Sequence, residues 1–183
     1  MRAVAKIALM HASIEQPSPW VRRWAELIDR GPVLDLAAGA GRHSILFAER
    51  GLEVIAVDRE PLNVPGVRFV RADLENGGPW PCGDQRFAAI VVTNYLHRPL
   101  FPRLAQSLAE GGVLIYETFM AGNERYGRPS NPAFLLQPGE LLSAFPGLTA
   151  IAFEQGCVEH PKPAMIQRLC ARRGDIGQVR IAA

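Results

Sequence analysis

The sequence predicts an α/β fold: a doubly wound, mostly parallel sheet of seven strands, with the last strand antiparallel. Short apolar, β-prone runs alternate with helix-patterned segments along the chain, which implies parallel strands with helices on both faces. The run AAIVVT at Ala88–Thr93 is apolar nearly throughout, as a strand covered on both faces is. The final two runs are joined by a short link, which suits an antiparallel pair.

Each element has its own signal. Pro19–Asp29 reads as a helix with Trp20, Val21, Trp24, Leu27 and Ile28 on one side, stopped by Gly31-Pro32. Val33–Ala37 is a buried strand, and Gly41–Arg50 is a helix ended by Gly51. Glu53–Val57, Val67–Ala72 and Ala88–Thr93 are the second to fourth strands. In Pro99–Glu110, Leu100, Leu104 and Leu108 recur every four residues, which predicts a helix before Gly111-Gly112. Val113–Phe119 is the fifth strand. Ala121–Gln137, rich in Gly, Asn and Pro, reads as a loop, and Pro138–Phe145 as a short helix opened by proline. Leu148–Glu154 and Ala164–Arg172 close the sheet.

With 183 residues the chain fits a single domain over 1–183, residues 1–30 forming an N-terminal strap and helix. The apolar share is 48% and the charged share 21%, ordinary globular usage that speaks against disorder and coiled coil. A formal net charge of +2 gives no support to a nucleic-acid partner, although Arg far outnumbers Lys and a local basic patch stays open. No stretch reaches the roughly 18 apolar residues of a membrane span. The N-terminal apolar run is short, contains Lys6 and precedes no clear cleavage site, so it reads as a strap and not a signal peptide. Cys82, Cys157 and Cys170 are odd in number and widely spaced, which fits reduced thiols in the cytoplasm and no metal site. His11 and His160 are isolated and carry no assignment.

Sheets of this kind bind ligands beyond the carboxyl ends of their strands. The first strand runs into Gly39-Ala40-Gly41 and then a helix, within VLDLAAGAGRHS at Val33–Ser44. Glycine there permits φ > 0 and a close ligand, and the helix start offers free N–H groups and partial positive charge. A plain strand–helix turn would use the same residues, so context decides. The second strand ends at Asp58, roughly 20 residues on, where a carboxylate can bind ribose hydroxyls; a helix N-cap is its other reading. The third glycine of the dinucleotide fingerprint is missing. Asp35, inside the strand, would repel a diphosphate but suits a ligand carrying an ammonium group. Both points favour S-adenosylmethionine (SAM) over a nicotinamide dinucleotide.

Here the chain resembles the class I SAM-dependent methyltransferases, whose first motif runs acidic-x-Gly-x-Gly-x-Gly. Asp35, Gly39 and Gly41 match it and Ala37 departs, a mild departure where the backbone carbonyl makes the contact. DLAAGAGRHS closely resembles the tellurite-resistance-type subgroup. The resemblance implies a Rossmann-like methyltransferase fold and SAM as cofactor. It implies Asp58 on the ribose, Arg59 flanking the adenine, Asp73 and Leu74 at the adenine edge, and Asn94 at the start of the methyl-transfer face. Asp73 by itself reads equally as a turn cap. The family's Asn/Asp-Pro-Pro-Tyr/Phe tetrapeptide is absent, which disfavours adenine or glutamine N-methylation.

Methyl transfer needs an aimed acceptor, and a base only where a proton must leave. The catalytic candidates follow the fourth strand: Tyr95, and His97 as a base with its ordinary pKa near 6.5 or else as a helix cap. Asn94 and Tyr95 are placed to line the methyl channel. Residues 120–137 form a candidate substrate lid, with Tyr116, Asn123, Arg125 and Arg128 as candidate substrate contacts and the arginines suited to a carboxylate, phosphate or oxyanion. The favoured expectation is therefore a methyltransferase acting on a small-molecule or oxyanion acceptor under this loop. The alternatives are an RNA or protein methyltransferase, a non-catalytic partner protein of the same fold, and a nicotinamide-dependent oxidoreductase.

Overall fold

The computed structural model describes residues 16–175 together with Gly177 and Val179. The predicted strap over residues 1–15, with Lys6 and His11, lies outside the described residues. Seven strands form one sheet in the order β3-β2-β1-β4-β5-β7-β6. They are β1 Val33–Leu36, β2 Val54–Asp58, β3 Val67–Arg71, β4 Phe87–Thr93, β5 Leu108–Phe119, β6 Leu148–Val158 and β7 Ala164–Arg173. β1 to β5 pair in parallel, and β7 runs antiparallel to both β5 and β6. The predicted fold class is therefore the observed one. Strand order reverses between β1 and β4, which opens the crevice such sheets use for ligands.

Helices α1 (Pro19–Ala25), α2 (Arg42–Glu49), α3 (Phe101–Ser107) and α4 (Glu140–Ala144) cover the sheet. Side chains alternate across each strand. Val33, Val54, Ala89, Val91 and Ile115 face Trp20, Trp24 and Phe47 in one core. Leu34, Ile55, Ile90, Leu114 and Tyr116 face Leu104, Leu141 and Phe145 in the other. β1 is buried at all four positions, including the charged Asp35.

Three expected boundaries move. α1 stops at Ala25, four residues short of Asp29, where Leu27 N and Ile28 N turn back to Trp24 O and Ala25 O in tighter i→i−3 bonds. The helix predicted over Pro99–Glu110 opens with a 3₁₀ turn at Arg98–Leu100 and ends at Ser107. Leu108 is already extended and pairs with Phe87; a bulge through Gly111-Gly112 follows before Ala89 meets Val113. A Cβ on Gly112 would lie 2.8 Å from the Phe87 carbonyl oxygen, so these glycines form a bulge and not a helix stop. α4 starts after left-handed Gly139 and not at Pro138. Residues 121–137 contain two 3₁₀ turns, Asn123–Arg125 and Pro132–Phe134.

Candidate active site

The loop after β1 is a tight, internally bonded turn. Gly39 (φ +56°) donates its N–H to Asp58 Oδ2 at 2.8 Å. Nothing lies within 4 Å of a Cβ built on Gly39, so the space above the turn is open. Gly41 (φ +78°) precedes α2, and a Cβ there would come within 2.9 Å of Leu62 Cδ1. Ala37 also takes a left-handed φ, +54°, a conformation L-residues avoid. That explains why the motif it resembles has glycine at this position.

Asp35 is 1% exposed and lies beneath the turn, not on its surface. Ser44 Oγ donates to Asp35 Oδ2 at 2.6 Å. Burial lifts the Asp35 pKa from 3.8 to about 6, against the lowering effect of the Ser44 bonds and the Arg42 charge. Asp35 is expected to face a ligand's ammonium group; here its Oδ2 is bonded within the protein. Its carboxylate faces the start of α2, where Ser44 sits, because the alternation of β1 aims it at that helix.

A cleft of about 410 Å³ opens at the carboxyl ends of β1, β2, β3 and β4, lined by Ala37, Asp58, Arg59, Glu60, Ala72, Asp73, Leu74, Glu75 and Tyr95. Five of the residues predicted around a nucleoside share this wall: Ala37, Asp58, Arg59, Asp73 and Leu74. Asp58 also accepts from Glu60 N at 2.9 Å, and Asp73 from Glu75 N at 2.9 Å, so both acids cap turns while facing the cleft. The buried Tyr95 hydroxyl has no partner at hydrogen-bond geometry. Burial first, then the Glu75 carboxylate, push its pKa up, so Tyr95 is a donor at neutral pH and not a base. Four carboxylates against one arginine suit a cationic nucleoside, and the Tyr95 hydroxyl faces the Glu75 carboxylate without reaching full hydrogen-bond geometry.

A second cavity of about 260 Å³ lies beyond β4 and β5. It is lined by Arg42, Asn94 and Glu117, by residues 16–19, and by the β6–β7 hairpin with His160, Lys162 and Arg168. Asn94 (φ +54°) therefore lines this cavity and not the cleft, while the next residue, Tyr95, lines the cleft. Arg168 Nε donates to Glu117 Oε2 at 2.5 Å and its Nη1 to Glu154 Oε2 at 3.2 Å. His43, 1% exposed, accepts from Ser18 N at 3.1 Å through Nε2, and its Nδ1 lies 3.4 Å from Thr93 Oγ1. Burial, then the Arg42 charge, lower the His43 pKa to about 3. This neutral imidazole ties the segment before α1 to the end of β4. Sequence reasoning missed it, although its place two residues after Gly41 was a usable signal.

Several predicted contacts are placed elsewhere. Tyr116 is 1% exposed among Phe101 and Phe145, and its hydroxyl donates to Tyr95 O at 2.9 Å; it is a core residue, not a substrate contact. Asn123, also 1% exposed, donates to Pro129 O at 2.9 Å and accepts from Met165 N at 3.1 Å, so it anchors the loop to β7. Arg125 and Arg128 are exposed, and like His97 they line neither cavity. None of residues 120–137 lines either cavity. The loop is fastened instead by Arg98, which bonds the carbonyls of Ala133 and Leu135 at 2.9 Å each and both oxygens of Glu140. Cys82, Cys157 and Cys170 are unpaired thiols. Among the described residues no group of three or more His, Cys, Asp or Glu gathers as a metal site, and no helix is long and apolar enough to cross a membrane.

The architecture is that of the Rossmann-like SAM-dependent methyltransferase fold. No family model matches the chain. Its sequence is 36% identical over 107 residues to trans-aconitate 2-methyltransferase of Methylobacterium nodulans, covering 49% of this chain and 41% of that protein. The chain spans less than half the length of the curated relatives it matches. The crystal structure of TehB from Haemophilus influenzae superposes with a TM-score of 0.72 at 16% identity, covering 86% of this chain and 63% of that one. The Burkholderia thailandensis 1,6-didemethyltoxoflavin-N1-methyltransferase, solved with bound 1,6-didemethyltoxoflavin and S-adenosylhomocysteine, gives a TM-score of 0.60 at 21% identity, covering 92% of this chain and 79% of that one. The homologues and structural neighbours reported are thus methyltransferases.

Proposed function

We propose that this chain is a SAM-dependent methyltransferase acting on a small-molecule acceptor. The observation that carries the reading is the acidic cleft beside the glycine turn, lined by Asp58, Glu60, Asp73, Glu75 and Tyr95. In it, Asp58 would hold the ribose hydroxyls, Arg59 would flank the adenine, and Asp73 with Leu74 would meet its edge. SAM bound there would supply an electrophilic methyl group on a positively charged sulfur. Glu60 and Glu75 add negative charge around it, and Gly39 leaves room for close approach. Asp35 and Ser44 hold the start of α2 in place, and Asn94 marks where the chain passes from the cleft to the second cavity. His97 lines neither cavity, so the reading uses no base at that residue.

A small-molecule acceptor is in keeping with the trans-aconitate and didemethyltoxoflavin methyltransferases that the chain resembles, and with a second cavity of about 260 Å³. A transfer assay with methyl-labelled SAM against small-molecule and RNA acceptors tests the proposal. Label is expected in small acceptors. Label in RNA alone would replace the acceptor class, and no binding of SAM would overturn the enzyme reading.

A further inference from the structure

The two cavities have opposite charge and meet at one peptide. The cleft presents Asp58, Glu60, Asp73 and Glu75 against Arg59. The second cavity presents Arg42, Lys162 and Arg168, with His160, against Glu117 alone. Glu117 is already engaged by Arg168 at 2.5 Å, and it also attracts the half-buried Arg42. Arg168 also pairs with Glu154 at 3.2 Å and Arg42 donates to Gln16 O at 3.3 Å, so the cationic side chains of the lining, Lys162 included, outnumber its one carboxylate while two of them are already bonded. Lys162 stands exposed at its mouth on the β6–β7 turn. Between the charges the walls are apolar, from Pro17, Pro19, Phe119 and Ile166. Asn94 and Tyr95, consecutive at the end of β4, line one cavity each, so the two cavities adjoin along that peptide.

We infer, resting on the methyltransferase reading above, that the second cavity is the acceptor site and takes a small carboxylate with an apolar body, its charge held by Arg42 and Lys162. A carboxylate against a guanidinium gains charge-assisted hydrogen bonds that its neutral amide does not, while the proline and phenylalanine walls take the body. The neutral His43 ties the segment before α1 to β4 and keeps that wall in place.

Calorimetry on the full chain loaded with S-adenosylhomocysteine tests this, using trans-cinnamate and hexanoate as probes beside cinnamamide and hexanamide. At least one carboxylate is expected to bind about tenfold more tightly than its amide, the scale of one charge-assisted contact. Lys162→Glu, an exposed change that leaves the core untouched, and Arg42→Gln are each expected to weaken carboxylate binding by about fivefold or more while S-adenosylhomocysteine still binds. Carboxylates binding no better than amides, or binding that both variants leave intact, overturns the acceptor site. If S-adenosylhomocysteine fails to bind the parent chain, the methyltransferase reading falls instead; a carboxylate preference abolished by Lys162→Glu would then uphold the anion site alone.

Discussion

At the residue scale, Ala37 is held in the left-handed region at φ +54°, which costs an L-residue roughly 1–2 kcal/mol, whereas glycine there adds back about 0.5–1 kcal/mol of unfolded-state entropy. Ala37→Gly is therefore expected to raise stability by about 0.5–1 kcal/mol, read as a higher urea midpoint at unchanged m-value; a lower midpoint would mean that the methyl group packs. Asp35 and His43 titrate in opposite senses. With a folded pKa of about 6 against 3.8, Asp35 adds stability below pH 4 and loses it as pH rises through 6. His43, at about 3 against 6.5, adds stability above pH 6.5 and loses it as pH falls toward 3. The two contributions oppose each other between pH 4 and 6. In Asp35→Asn only the His43 slope survives: the variant's advantage over the parent should be largest at pH 7 and shrink by about 1.4 kcal/mol per unit from pH 6 to 4. A pH-independent difference in urea unfolding would refute the buried titration. These residues were legible to different degrees. Asp58 and Asp73 announced themselves by following strands. The burial of Asp35 did not, because the sequence shows a carboxylate in a strand but not which helix its side chain meets.

At the element scale, the strands were read from apolar runs and the helices less well, since glycine has two uses. Gly111-Gly112 looked like a helix end and is a bulge in β5. Residues 121–137 looked like a lid because they are polar and rich in Gly and Pro. Their fastening depends on Arg98 and Asn123, whose partners lie up to 42 residues away, a separation that no local pattern carries. Arg98→Ala removes the bonds to Ala133 O, Leu135 O and Glu140. It is expected to cost roughly 2–3 kcal/mol, the scale of charged hydrogen bonds at a half-exposed site, and to raise hydrogen exchange over residues 132–136 without changing S-adenosylhomocysteine affinity. A loss of that affinity would give the loop a part in the cofactor site that neither the lid expectation nor the structure assigns to it.

At the scale of the whole molecule, strand order places an acidic cleft and a basic cavity on either side of the β4 terminus. The first was legible because its residues follow β1, β2 and β3 at regular intervals. The second draws on the segment before α1, the start of α2, β5 and the β6–β7 hairpin, so His160 and Lys162 looked isolated in the chain and meet Arg42 only in the fold. The central claim is that the acidic cleft binds the nucleoside of SAM, and Asp58 bears on it most directly because it both caps Gly39 and faces the cleft. Titration calorimetry with S-adenosylhomocysteine on the parent chain and Asp58→Ala is the measurement that decides it. Binding by the parent, weakened by about 1–3 kcal/mol in the variant, is the predicted result; equal affinity in the two proteins, or none in the parent, would contradict it.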